Sequence, residues 1–154
     1  MEELNFPQYP IPLKNKENKP YVWDIIRKKN ILLTPEEWVR QHCIYFLLEE
    51  IKVPQSLINV EKSITVGQRK KRYDIVVFNP QGEITLLVEC KAPRVSINQT
   101  TFDQIAQYNF SLESNALMVT NGIDHYFCKM DKTTARYHFM RELPPYNPEE
   151  TLWK

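Results

Sequence analysis

Long apolar runs, glycine and paired cysteines are all scarce in this chain, and each scarcity narrows what it can be. No run of roughly 18 apolar residues occurs, so no membrane-spanning helix is expected. The opening MEELNFPQYP has neither a basic start nor an apolar core. It does not read as a secretory signal, and the cytoplasm is the expected location. The cysteines, Cys43, Cys90 and Cys128, are odd in number, widely spaced and without a C-x-x-C pair. That argues against a disulfide framework and against a zinc site; each reads as a small buried hydrophobe. His42, His125 and His138 lack metal-ligand spacing. The three glycines, Gly67, Gly82 and Gly122, lie between apolar runs and mark turns. A net charge of +1 neither demands nor excludes a nucleic-acid partner.

What is present fits one domain. At 154 residues, 42% hydrophobic and 25% charged, the chain can bury a core without staples. Prolines crowd both ends, from Pro7 to Pro20 and from Pro144 to Pro148. Residues 1–30 are therefore expected to be an N-terminal arm with a short helix over Tyr21–Lys29, residues 31–143 the folded domain, and residues 144–154 a C-terminal tail. Thr34-Pro35-Glu36-Glu37 is a helix start, with an N-cap threonine, proline at the first position and acids in the first turn. That helix runs to about Ile51, with Val39, Cys43, Phe46 and Leu47 on one face, and Pro54 prevents its continuation. Strands are expected over Val60–Val66, Arg72–Phe78 and Ile84–Lys91, the last two joined as a hairpin through Asn79-Pro80-Gln81-Gly82. A second helix over Thr100–Leu112 would bury Phe102, Ile105, Ala106 and Asn109. Strands over Ala116–Thr120, His125–Met130 and Tyr137–Met140 complete an α/β domain, a mixed sheet flanked by helices.

Acids interrupt two of those apolar strands. Asp74 sits in Tyr73-Asp74-Ile75-Val76-Val77-Phe78, and Glu89 and Lys91 end Leu86-Leu87-Val88-Glu89-Cys90-Lys91. Strand alternation points Glu89 and Lys91 to one face, and a hairpin partner Asp74 would join them. Ionisable groups are costly in apolar strands unless paired or bound to metal. Two carboxylates with a backbone carbonyl suit Mg²⁺, and an ammonium beside them suits phosphodiester hydrolysis. The E-x-K pattern alone is weak, because Glu17-Asn18-Lys19 and Glu50-Ile51-Lys52 repeat it. Only Glu89-Cys90-Lys91 ends an apolar strand paired with another that bears an acid. The competing structural reading is a salt bridge at a sheet edge.

The following helix extends the pattern. Gln104 and Tyr108 stand four apart on one face of Phe102-Asp103-Gln104-Ile105-Ala106-Gln107-Tyr108-Asn109. With Asp74 and Glu89-Cys90-Lys91 upstream, this resembles the Q-x-x-x-Y motif of RecB-like nucleases of the PD-(D/E)-x-K superfamily, in particular the N-terminal nuclease domain of the type I restriction enzyme R subunit. Arg72-Tyr73-Asp74-Ile75-Val76-Val77, Val88-Glu89-Cys90-Lys91-Ala92-Pro93, Val119-Thr120-Asn121-Gly122 and Thr34-Pro35-Glu36-Glu37-Trp38-Val39-Arg40-Gln41 resemble that family as well. The similarity spans about residues 31 to 130. Tyr73 stands where the motif has its proline.

The resemblance implies a restriction-endonuclease-like fold for residues 31–143 and a Mg²⁺-dependent deoxyribonuclease, most simply an endonuclease, with Mn²⁺ able to substitute. Asp74 and Glu89, with the Cys90 carbonyl, would hold the metal, and Lys91 would be the catalytic lysine. Gln104 and Tyr108 would support that lysine or contact the DNA backbone. The first helix would add an acid, Glu37 by choice, with Glu36 close behind it. The basic run Arg69, Lys70, Lys71 and Arg72 would contact DNA phosphates. DNA is the implied partner, with other restriction-modification or DNA-processing subunits beside it. These residues include no G-x-x-x-x-G-K-[ST] loop, so a stand-alone relative or a detached piece without the ATPase motor is expected. The alternatives are a non-catalytic DNA- or protein-binding module on a nuclease fold, or a structural domain with a surface ion pair.

Overall fold

A computed structural model describes residues 2–154. The first elements are three short strands, β1 (Leu13–Lys16), β2 (Lys19–Asp24) and β3 (Lys29–Leu32), joined as an antiparallel meander. This corrects the short helix expected over Tyr21–Lys29. Burial there alternates with a period of two: Val22 and Asp24 are buried while Trp23 between them is exposed. Glu17 and Asn18 both take left-handed φ, of 54° and 63°, which suits a two-residue hairpin turn. At the next turn, Asp24 Oδ1 accepts from the amides of Ile26 and Arg27, each at 2.8 Å, and bends the chain back into β3.

The strong helix start behaves as its chemistry dictates. Helix α1 (Pro35–Tyr45) begins where Thr34 Oγ1 accepts from the Glu37 amide at 3.0 Å. It continues as a wider helical turn, Phe46–Ile51, and stops at Lys52 in left-handed conformation. The main sheet follows: β4 (Ile58–Val66), β5 (Arg69–Phe78), β6 (Ile84–Cys90), β7 (Ala116–Thr120), β8 (His125–Asp131) and β9 (Arg136–Met140), hydrogen-bonded in that order. All neighbours are antiparallel except β6 and β7, which run parallel. Parallel neighbours need a crossover, and helix α2 (Gln99–Asn109) supplies it. It is capped by Asn98, whose side chain accepts from the Thr101 amide at 2.8 Å.

The sheet therefore has two covered faces, and its central strands are buried on both. One core gathers Val39, Cys43 and Ile44 of α1 and Leu47 of the wider turn against Ile75, Val77, Leu86, Val88 and Met118. The other sets Phe102 and Ala106 of α2 against Val76, Leu87, Leu117 and Val119. Ile105 is only half-buried. The meander packs Val22 and Leu33 against Tyr45 in a third, smaller cluster. The three cysteines are buried and free. No helix among the described residues is long and apolar enough to cross a membrane.

Neither end is a loose arm. Leu4, Leu143, Leu152 and Trp153 belong to the α1-side core, with Trp153 only 1% exposed. The expected C-terminal tail is instead docked: the Tyr146 amide donates to Ile51 O at 2.7 Å and Trp153 Nε1 to Pro144 O at 3.1 Å. Apolar residues flanking the prolines outweigh the prolines' resistance to regular structure.

Leu4 reaches the core beside Gly122, which holds φ +88° in the β7–β8 turn. A β-carbon there would stand 2.9 Å from Leu4 Cδ2 and 3.0 Å from Val39 Cγ2. Gly122→Ala should lower unfolding free energy by about 1–2 kcal/mol, through a strained φ and a displaced Leu4. Urea unfolding at constant m-value measures this; an unchanged midpoint would contradict it.

Candidate active site

Asp74 lies in β5 where the sheet is locally irregular. The β4–β5 ladder pairs Val60 with Ile75 and Lys62 with Tyr73 but skips Glu61 and Asp74. Glu61 takes φ +56° inside its strand, a conformation costly for a side-chain-bearing residue. On the other side Asp74 Oδ2 accepts from the Cys90 amide of β6 at 2.8 Å. The carboxylate thus fills the gap where two strands part, in place of an ordinary ladder contact.

Arg40 of α1 answers it. Its guanidinium, 8% exposed, is 2.6 Å from Asp74 Oδ1, 2.5 Å from Glu37 Oε1, 2.9 Å from Glu61 Oε1 and 3.3 Å from Glu36 Oε1. Burial alone would lower the Arg40 pKa, but Asp74 and then Glu37 overcome this and raise it. Glu37 is also held by Arg27 at 2.8 Å and by Gln41 at 3.0 Å. Arg27 and Gln41 in turn hold the fully buried Asp24 at 2.7 and 2.9 Å. Asp24 titrates low: burial would raise it, and the hydrogen bonds and charge of Arg27 prevail. A continuous polar chain therefore runs from the meander, through Asp24, Arg27, Glu37 and Arg40, to Asp74.

Of the two first-turn acids, Glu37 is committed to this network and Glu36 is freer. The Glu36 side chain is about half exposed. Its pKa is raised by burial and then by the Asp74 charge, with Arg40 and Lys91 pulling the other way. Sequence reasoning assigned no role to Arg40, although it stands three and four residues after Glu37 and Glu36, the spacing of helical ion pairs. Asp24 and Arg27 carry no comparable signal.

Glu89 is the other carboxylate. It is 7% exposed, and its Oε1 is buried without a hydrogen-bond partner; Lys71 Nζ stands off at 3.6 Å. Its pKa is pushed up to about 7, by burial first and by Asp74 as well, against Lys71 and Lys91. Tyr73 Oη, nearby, is likewise buried without a partner, and burial, then Tyr108 and Glu89, raise its pKa. Lys91 acts electrostatically on both Glu36 and Glu89 and joins no ion pair among the described residues. Asp74, Glu89 and Lys91 are thus one electrostatic cluster. Asp74 leans toward α1, however, and Glu89 toward Lys71. Cys90 contributes its amide to Asp74, and its thiol faces Cys43 in the core at 3.8 Å.

A groove of about 460 Å³ adjoins this cluster, lined by Arg69, Lys70, Lys71, Gln104, Ile105 and Tyr108. Lys71 bridges the two regions. Its Nζ lies 4.7 Å from the centre of the Tyr73 ring and 4.9 Å from that of Tyr108, a cation–π sandwich that aims it at Glu89. Gln104 is exposed on the groove wall. Arg72 turns away from the groove and pairs with Glu61 at 3.5 Å.

Residues 35–144 match the family described as the type I restriction enzyme R protein N terminus. The chain belongs to that family. That membership makes this a nuclease-like domain related to restriction enzymes. No curated protein matches the chain. A solved structure that resembles it is a protein from Anabaena variabilis ATCC 29413, described as a candidate nuclease belonging to DUF820. The two share 15% identity with a TM-score of 0.47, over 96% of this chain and 87% of that one.

No group of three or more His, Cys, Asp or Glu side chains among the described residues is placed to hold a metal ion, and a divalent cation fits the donors present in one respect. Glu89 Oε1 is a buried carboxylate oxygen lacking a hydrogen-bond partner, with Lys71 Nζ 3.6 Å away and the Asp74 charge acting on it. Without metal, that oxygen has a measurable consequence. Between the pKa of Glu89 in the unfolded chain, near 4.5, and its raised value of about 7, the folded state holds the extra proton. This group's contribution therefore falls as pH rises through that window. Glu89→Gln should remove the fall, making the variant more stable than wild type at pH 8 by about 1–2 kcal/mol but not at pH 5. Urea midpoints in EDTA test this; a difference independent of pH would rule it out.

Proposed function

We propose that this domain is a Mg²⁺-dependent deoxyribonuclease that hydrolyses DNA phosphodiester bonds, with endonucleolytic cleavage as the favoured form. The observation that carries the reading is the orphaned, buried Glu89 Oε1 beside Asp74 and Lys91, joined by Lys71 to an open basic groove. Asp74, Glu89 and the Cys90 carbonyl are the residues that would hold Mg²⁺ or Mn²⁺. A metal so bound supplies a Lewis acid for the scissile phosphate and a water of lowered pKa.

The chain's own residues do the rest. Lys91, uncommitted to any ion pair among the described residues, carries an ammonium that orients the attacking water or offsets charge developing on phosphorus. Glu36, half exposed and sensitive to Asp74 and Lys91, is the better placed further acid, while Glu37 fixes Arg40. Arg69, Lys70 and Lys71 hold the DNA backbone along the groove, with Gln104 and Tyr108 on its opposite wall. Arg72, paired with Glu61, has the weakest case as a DNA contact. Family membership supports DNA as the substrate and other restriction-modification subunits as partners.

One observation favours a second reading. Arg40 already places a cation 2.6 Å from Asp74 Oδ1, as it would in a non-catalytic module that binds DNA or protein on a nuclease fold. The two readings separate experimentally. Nuclease activity should nick supercoiled plasmid with Mg²⁺ or Mn²⁺, and Lys91→Ala should lower the rate by about 10²–10³-fold with Tm unchanged. Equal activity in that variant would remove the mechanism. Metal-independent DNA binding, with neither nicking nor a Mn²⁺-dependent rise in Tm, would establish the module.

A further inference from the structure

The meander β1–β3 lies before residue 35, outside the segment shared with the family, and the candidate active site leaves its outer face unused. The register defines that face. Lys14 pairs with Tyr21, Lys16 with Lys19, Tyr21 with Leu32 and Trp23 with Asn30, and directly opposed residues share a side. Lys14, Lys16, Lys19, Tyr21, Trp23 and Leu32 therefore point one way. Val22, Asp24 and Ile31 point the other way, into the protein. The outer side is open: Lys14, Lys16 and Lys19 are exposed, Trp23 is 37% exposed and Leu32 is 45% exposed.

The face carries no acid. The nearest in sequence, Glu17, sits in the β1–β2 turn, and Asp24 is buried beneath in its bonds to Arg27 and Gln41. Cations on a pleated surface beside the exposed indole of Trp23 and the partly exposed ring of Tyr21 match a nucleic-acid strand. Ammonium groups meet phosphates, and rings accept unstacked bases. A duplex hides its bases, so the rings gain nothing from it.

We propose that the outer face of β1–β3 is a second DNA-contact surface that takes single-stranded DNA, with Lys14, Lys16 and Lys19 on phosphates and Trp23 stacked on a base. It rests on the reading that the domain works on DNA. Its connection to the cluster around Asp74 is physical, since the β2–β3 turn carries Arg27, which bonds Glu37 beneath Arg40.

The test is fluorescence anisotropy of the full chain with a fluorescein-labelled single-stranded oligonucleotide, in EDTA so that no cleavage intervenes. Wild type should prefer this strand to the matching duplex. Combining Lys14→Ala, Lys16→Ala and Lys19→Ala should weaken binding about tenfold or more and flatten the log–log salt dependence by about 2. Trp23→Ala should weaken it about fivefold or more while leaving the salt slope unchanged. Lys129→Ala with Lys132→Ala, on and beside β8, is the control and should do much less. Unchanged affinity in the triple variant, or an equal loss in the control, overturns the proposal. So does loss of phosphatidylserine-vesicle binding with DNA binding intact. Plasmid nicking separates the two readings. Wild-type nicking with unaltered strand binding in the variants sinks only this surface, and binding lost as expected without any nicking sinks only the nuclease.

Discussion

Five carboxylates, Glu36, Glu37, Glu61, Asp74 and Glu89, crowd the junction of α1 with β4–β6, and the Arg40 guanidinium is what makes that crowding tolerable. Like charges so close and so little exposed would otherwise repel strongly or take up protons. A planar, permanently charged group with several donors can meet four acids at once; an ammonium cannot do so with comparable geometry. Glu89 pairs with Lys71 rather than with Arg40, and it is there that the pKa rises to about 7. The division between the four acids that Arg40 contacts and Glu89, which has Lys71 at 3.6 Å, gives the site its electrostatic character.

The same guanidinium gives the N-terminal meander a role in the site. Asp24 orders Arg27 and Gln41, these order Glu37, and Glu37 orders Arg40. All but the partly exposed Arg27 are buried, so displacing one of the charged members leaves a charge without its counterpart in a poorly solvated place. The left-handed Glu61 in the middle of β4 belongs to this arrangement: its unusual backbone accompanies the skipped ladder position and its contact with Arg40.

Much of this was legible from residue types. Thr34-Pro35-Glu36-Glu37 announced α1, Asn79-Pro80-Gln81-Gly82 announced the β5–β6 turn, and the acids in apolar strands marked the cluster, because these signals are local. What escaped was decided by tertiary partners. Tyr21–Lys29 could be read as a helix, since a two-residue turn of Glu17 and Asn18 has no glycine to betray it. The ends looked free because prolines dominate them, yet Trp153 and Leu4 find the core only after the sheet exists. Arg40 displayed its helical spacing to Glu36 and Glu37, but nothing local revealed that Asp74 and Glu61 would arrive from two strands. Nor did spacing reveal that Arg72 would turn outward while Lys71 slid between Tyr73 and Tyr108.

The docking of both termini has a consequence for how this module evolves and combines. The stretch common to the family begins at Pro35 and closes at Pro144, whereas the mechanical unit is larger. Leu4 plugs the β7–β8 turn, Asp24 and Arg27 brace Glu37, and Leu152 with Trp153 closes the core from the other end. A segment cut at the shared boundaries would keep every motif residue and yet lose its two lids and its brace. The motif and the folding unit therefore have different boundaries, and a change in either flank can reach the site without touching a motif residue.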